Sequence, residues 1–223
     1  MDKIDVILVT HKPKEEVQKN IDELEANTPE THRLIATCQP LSASQNRNYG
    51  LSWANSEVFV MLDDDITGFY EGWLTDMVAP FKELNNVIVS SARLLNPNRT
   101  TAHAMGCMKC INKEGICEAE RFSYKNYYRV PTSCITVKNM GGTVKFDEKF
   151  VGSGYEDTDW MNQVNITYPN SIMTVNNNCR LIHLNEEKGQ GGANFEHNKA
   201  HYLSKYPDDQ TVINQKDWTL RKR

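Results

Sequence analysis

Through its first hundred residues the chain alternates short β-branched apolar runs with stretches of helical periodicity. Such a pattern buries its apolar positions in a parallel sheet with crossover helices. Ile4–Val9 (IDVILV) is apolar almost throughout, as suits a strand covered on both faces. Pro13 is placed to open a helix, in which Val17, Ile21 and Leu24 form one apolar stripe. Residues 33–38 read as a second strand, and a helix capped by Ser42 or Ser44 runs to about Asn55. Residues 57–62 form a third strand. Trp73, Met77, Phe81 and Leu84 mark the inner face of the next helix, which Pro80 should kink, and residues 87–92 supply a fourth strand. The expected fold class is α/β, a mostly parallel open sheet flanked by helices. Beyond residue 95 the segments become shorter and irregular, as where a scaffold gives way to substrate-binding loops. A hairpin turn is expected at residues 112–115, a mobile glycine-rich loop at 188–192 and a last helix over 194–206.

A chain of 223 residues, 39% hydrophobic and 24% charged, has the size and composition of one globular domain. Its formal net charge of −4 gives no overall attraction for polyanions such as nucleic acid. The opening MDKIDVILVT lacks the longer apolar segment of a secretory signal, and no stretch reaches membrane-spanning length. Six cysteines are too few and too scattered for a disulfide framework, so reduced thiols and a cytoplasmic chain are expected.

The strongest local signal is Asp63-Asp64-Asp65 at the end of the third apolar run. That is the edge of an open α/β sheet where ligands usually bind. Three adjacent carboxylates repel one another unless a cation or a hydrogen-bonding ligand compensates, and hard divalent metals favour oxygen ligands. An acidic turn with a helix cap would leave the same local pattern. A second acidic cluster, Gly154-Tyr155-Glu156-Asp157-Thr158-Asp159-Trp160, opens a helix after a glycine-rich approach. Acids there also complement the helix dipole. His183 follows after another apolar strand, and imidazole is a common metal ligand.

Taken in order, SQNRNYGLSWANSEVFVMLDDDI, GGTVKFDEKFVGSGYEDTDW and His183 resemble the inverting glycosyltransferase family 2 with the GT-A fold, over about residues 3–190. The resemblance implies a nucleotide-sugar-binding half (1–95), an acceptor and catalytic half (96–192) and a C-terminal helix and tail (193–223). Asp63 and Asp65 would form the Asp-x-Asp motif, Asp65 with His183 holding Mn2+ or Mg2+ and Asp63 meeting the donor nucleotide. Asp64 would orient donor hydroxyls, Asn46, Arg47 and Asn48 would lie beside the donor, and Lys188 would touch its diphosphate. Thr10 and His11 are weaker donor contacts. Asp157 would be the general base and Glu156 would position the acceptor, with Tyr155 and Trp160 as further acceptor contacts. The family commonly carries an Asp after the second strand to read the nucleobase, whereas Ala36-Thr37-Cys38-Gln39 offers no carboxylate.

The partners implied are a nucleotide-diphospho-sugar and a hydroxyl acceptor, whether glycan, protein, small molecule or hydroxylated nucleic-acid base, with no membrane. Tyr124, Tyr127, Tyr128 and Trp160 suit either a stacking platform or a core. A catalytically inactive sugar-nucleotide or carbohydrate-binding module is the alternative from another class, against which the joint presence of Asp65, Asp157 and His183 argues. A sugar nucleotidyltransferase would need a glycine-rich basic loop after the first strand, which Thr10 to Lys14 does not supply. His103, Cys107, Cys110 and Cys117 can be written as a zinc site, but with only one Cys-x-x-Cys, and packed thiols across a hairpin explain them equally.

Overall fold

A computed structural model describes residues 3–98, 129–184 and 194–213. The elements in chain order are β1 (Ile4–Val9), α1 (Lys14–Ala26), β2 (His32–Ala36), α2 (Ala43–Trp53), β3 (Val58–Asp63), β4 (Ile66–Thr67), α3 (Trp73–Glu83), β5 (Val87–Leu95), β6 (Cys134–Lys138), α4 (Glu156–Thr167), β7 (Ile172–His183), α5 (Phe195–Lys205) and α6 (Gln210–Ile213). The strands make one sheet in the order β2-β1-β3-β6-β5-β7-β4. β1 is parallel to β2 and β3, and β5 is parallel to β7. β6 runs antiparallel between β3 and β5, and β4 is antiparallel to the end of β7. The sheet is mostly parallel as expected: β1, β2, β3, β5 and β7 run one way, while β6 and the two-residue β4 are reversed.

Alternation along β1 divides the core. Val6 and Leu8 face Val17, Ile21 and Leu24 of α1 and Trp73 and Met77 of α3. Ile7, with Phe59 and Met61 of β3, faces Trp160, Met161 and Val164 of α4. The inner face of α3 is Trp73, Leu74, Met77 and Val78, not the expected Phe81 and Leu84, which are only half-buried. Pro80 lies inside α3 and cannot donate to the carbonyl of Asp76 four residues back. Asn176 Nδ2 of β7 reaches that carbonyl at 2.5 Å and satisfies it.

The helix α2 starts with a capping box: Gln45 N–H donates to Ser42 Oγ, and Ser42 N–H donates to Gln45 Oε1. It lies so close to β1 that a Cβ on Gly50 would stand 2.4 Å from Ile7 Cγ2. Ile7 is wholly buried and its branched side chain has little freedom to swing aside. Gly50→Ala should therefore destabilise the protein by about 1–2 kcal/mol, overpacking outweighing the gain in helix propensity. A thermal melt would register it as a midpoint several degrees lower, whereas an unchanged or raised midpoint would mean that α2 shifts freely.

At the other end, α5 and α6 close a small third cluster of Phe150, Tyr155, Phe195, Tyr202 and Val212. Fully buried Asn198 donates to the carbonyls of Val151 (2.9 Å) and Ser153 (3.3 Å) and accepts from Val151 N–H at 2.9 Å. Lys205 bridges Asp147 at 3.0 Å and Asp159 at 2.6 Å, and His201 Nε2 lies 3.0 Å from Asp147. Burial alone would raise the Asp147 carboxyl, but hydrogen bonds from the Lys149 N–H, His201 and Lys205 outweigh it and hold it down to about 2. A carboxyl depressed on folding stabilises above its unfolded value, near 4, and loses that contribution as pH falls through about 2. Asp147 should thus supply about 1 kcal/mol near neutrality, solvent screening of this surface cluster reducing the full linkage value. Urea midpoints between pH 4 and 2 should fall less steeply in Asp147→Asn than in the wild type; parallel slopes would show that α5 docks without it.

Among the described residues Cys38, Cys134 and Cys179 are free thiols. No described helix is long and apolar enough to cross a membrane. The expected hairpin at 112–115, the loop at 188–192 and the residues His103, Cys107, Cys110, Cys117, Tyr124, Tyr127 and Tyr128 lie outside the described residues.

Candidate active site

The ends of β1, β3, β5 and β7 and the start of β6 meet at one edge of the sheet, and the acids gather there. Asp63 is the last residue of β3, and its N–H donates to the Ser133 carbonyl just before β6, at 2.8 Å. Chain reversal through Asp64 and Asp65 leads into β4, whose Ile66 pairs with His183 at the end of β7. Leu184 N–H donates to the Asp65 carbonyl at 2.9 Å. This pairing brings His183 Nε2 to 3.5 Å from Asp65 Oδ1. Ligand atoms of Asp63, Asp65 and His183 all lie within 4.8 Å of one another. Two carboxylate oxygens and one imidazole nitrogen at that spacing suit a divalent cation such as Mn2+ or Mg2+. Burial, reinforced by Asp65 and opposed by Arg47, pushes the Asp63 carboxyl up to about 6. A bound cation would relieve that cost.

Asp64 turns away from this group. It accepts from Thr10 Oγ1 and, at 2.9 Å, from Lys12 Nζ. Thr10 is buried and its backbone is stitched to Thr37: its N–H donates to Thr37 Oγ1 and its carbonyl accepts from it, both at 2.9 Å. Thr10 therefore orients Asp64 instead of offering its hydroxyl to a ligand. Lys12, half-exposed beside Asp64, escaped the sequence reading, although a basic residue in the loop after the first strand was its signal.

The three residues of α2 also point inward. Asn46 Nδ2 donates to the Gln39 and Leu41 carbonyls, both at 3.0 Å, closing the loop before the helix. Asn48 grips Phe146 at both backbone groups, donating to its carbonyl and accepting from its N–H at 2.9 Å. Arg47 is buried, with Nη1 2.7 Å from Glu156 Oε1 and Nη2 3.0 Å from Asp63 Oδ1. The amide nitrogens of Asn46 and Asn48 are thus engaged by the backbone, which gives both residues a part in holding the loops around the site.

At the second acidic cluster Tyr155 is the N-cap of α4, and its left-handed φ of 69° swings the chain from the glycine-rich approach into the helix. Its first turn carries three acids in three environments. Glu156 is buried and accepts from Arg47 and from the Gly154 N–H. Asp159 is fully buried against Lys205. Asp157 stays half-exposed, with Oδ1 accepting from Thr158 N–H at 2.7 Å and Oδ2 from Thr132 Oγ1 at 3.4 Å. Thr132 lies just ahead of β6, and no local sequence signal marked it. Burial raises the Glu156 carboxyl and Arg47 opposes the rise.

Two acceptor expectations are corrected. Trp160 is fully buried, its ring stacked on Phe146 at 5.1 Å and 4°. Tyr155 is buried between Phe195 at 5.5 Å and Tyr202 at 5.8 Å. Glu156 is likewise buried among its own partners, Arg47 and the Gly154 N–H. Lys188 lies outside the described residues.

Comparison with known proteins follows the same lines. The family model described as "Glycosyl transferase family 2" matches residues 1–136. No curated protein matches the chain. Among solved structures, residues 1–349 of S. aureus TarS in complex with UDP-GlcNAc superpose with a TM-score of 0.57 at 14% identity, covering 94% of this chain and 68% of that one. Glucosyl-3-phosphoglycerate synthase from Mycobacterium tuberculosis, in complex with Mn2+, UDP and phosphoglyceric acid, gives 0.56 at 14% identity, covering 97% and 80%. GalNAc-T7 with UDP, GalNAc and Mn2+ gives 0.51 at 12%, covering all of this chain and 53% of that one. Identities this low speak for the fold alone. With the family model matching more than half of its length, the chain belongs to glycosyl transferase family 2 and carries the GT-A fold.

Proposed function

We propose that the protein transfers a sugar from a nucleotide-diphospho-sugar to a hydroxyl acceptor with inversion at the anomeric carbon, using a divalent cation. Asp63, Asp65 and His183 would hold the cation, which would supply Lewis-acid stabilisation of the charge that grows on the departing diphosphate. Asp157 takes the acceptor proton as the hydroxyl oxygen attacks the anomeric carbon, and the nucleoside diphosphate departs from the opposite face. Arg47, Thr10 and Lys12 keep the strand-end carboxylates in place during that step. The observation that carries the reading is the sorting of the acids opening α4. Glu156 and Asp159 are buried in ion pairs, while Asp157 is left half-exposed at the same Arg47 that anchors Asp63.

UDP-sugars are the first donors to try, because the superposable structures of TarS, glucosyl-3-phosphoglycerate synthase and GalNAc-T7 are complexes with UDP or UDP-GlcNAc. Free Cys38, Cys134 and Cys179 suit a reducing compartment such as the cytoplasm. The test is calorimetry and released-diphosphate assay with UDP-glucose, UDP-GlcNAc and the GDP- and dTDP-sugars, each with MnCl2, MgCl2 or EDTA. Donor binding that needs the cation and is followed by diphosphate release supports the reading. Binding without release to water or to any acceptor would favour an inactive sugar-nucleotide-binding module.

A further inference from the structure

Arg47 sits where the two halves of the site touch. Its fork spans carboxylates 16 residues ahead and 109 residues ahead in the chain, Asp63 at 3.0 Å and Glu156 at 2.7 Å. Its guanidinium carbon lies 5.4 Å from the centre of the Phe146 ring, whose other neighbour is Trp160 in the second turn of α4. Asn48, on the same helix, fixes Phe146 by its backbone. The second oxygen of Glu156 accepts from the Gly154 N–H, tying the first turn of α4 to its glycine-rich approach. A guanidinium this buried, with both terminal nitrogens on protein carboxylates, is poorly placed to clasp a donor phosphate.

We propose that Arg47 is a positioning residue that sets Asp157 against the donor. Through one rigid fork it locks the strand-end Asp63 to the first turn of α4. The inference rests on the reading of Asp157 as base and of Asp63 as part of the cation site. It adds that the two are held in register by a side chain that touches neither substrate. Only arginine fits this part, since a planar fork orders two carboxylates at once whereas a lysine ammonium is a single mobile point. Ordering of Asp63 by a cation is then transmitted through Arg47 and Glu156 to residues 154–158.

The test compares wild type, Arg47→Lys and Glu156→Gln by hydrogen exchange read by mass spectrometry, with and without MnCl2, alongside calorimetric Mn2+ titration and donor kinetics. Without metal, Arg47→Lys should exchange at least about tenfold faster over 154–158, while β1 and β3 exchange as in wild type. Mn2+ should slow exchange over 154–158 in the wild type and lose that effect in Arg47→Lys. With a turned-over donor, kcat should fall about 100-fold and donor KM stay within about twofold, the signature of a misplaced base. Glu156→Gln keeps the shape of the pair and should show the same pattern more weakly, which covers the case in which Arg47→Lys does not fold.

Unchanged exchange over 154–158 in Arg47→Lys, or equal protection by Mn2+ in wild type and variant, would overturn the proposal. So would a raised KM with kcat intact, which would make Arg47 a donor ligand. Failure of the wild type to bind Mn2+ would overturn the cation reading alone, with the metal-free comparison still deciding the part played by Arg47.

Discussion

Asp157→Asn should lower turnover by roughly 10²–10⁴-fold while leaving cation-dependent donor binding within about twofold of wild type. The substitution keeps the volume of the side chain and an oxygen to accept from the Thr158 N–H, while the amide nitrogen that replaces Oδ2 can donate to Thr132 Oγ1, so the first turn of α4 has no reason to move. What it removes is the capacity to accept a proton from the acceptor hydroxyl. Nearby carboxylates are poor substitutes, because Glu156 and Asp159 are buried on Arg47 and Lys205. Calorimetry with UDP-glucose or UDP-GlcNAc in MnCl2 measures the binding, and released UDP measures the turnover. Full turnover in the variant would require another base. Lost binding together with lost turnover would mean that Asp157 belongs to the donor site. Thr132→Val should reproduce a small part of the effect, since it loosens Asp157 without discharging it.

How much of this was legible beforehand differs from element to element. β1, β3 and β5 announced themselves because strands buried on both faces must be apolar nearly throughout, and Ser42, one of the two serines expected to cap α2, is its N-cap. The reversed strand β6 was not legible. Its five residues look like any short apolar run, and insertion between β3 and β5 depends on partners 46 and 76 positions away, Ser90 and Val60, both of which pair with Thr136. The inner face of α3 was misjudged for a related reason: Leu74 and Val78 meet strands that the helix periodicity alone does not specify.

Within the site, the Asp-Asp-Asp run and the acids opening α4 were visible as types of residue in telling places. Their division of labour was not. Glu156, Asp157 and Asp159 differ because Arg47 arrives from α2 and Lys205 from α5, and such long-range pairing decides which charge is left facing solvent. The same holds for Trp160, whose aromatic face invited a ligand in the sequence and is covered by Phe146 in the fold.

Asp65→Ala should weaken Mn2+ binding by at least about 100-fold and with it abolish cation-dependent donor binding, an effect at least as large as loss of a ligand's outer partner produces. On the proposed reading Asp65 would supply one of three ligand atoms, and its loss would leave only Asp63 and His183 to hold the cation. The fold should survive. Asp65 and Asp63 repel one another, Asp65 being one of the groups that raise the Asp63 carboxyl, so truncation removes an unfavourable pair along with the Asp65–His183 contact at 3.5 Å. A thermal midpoint within a few degrees of wild type, together with lost Mn2+ binding, separates the loss of a ligand from the loss of structure. His183→Ala should behave in the same way, because β4 pairs with β7 through backbone groups that the substitution leaves in place. Were Asp65→Ala to bind Mn2+ as tightly as wild type, the cation would have to sit elsewhere, and the strand-end acids would keep their mutual repulsion for some other ligand. Were it to lose Mn2+ yet still bind donor, the diphosphate would be held by protein cations, with half-exposed Lys12 beside Asp64 one described candidate.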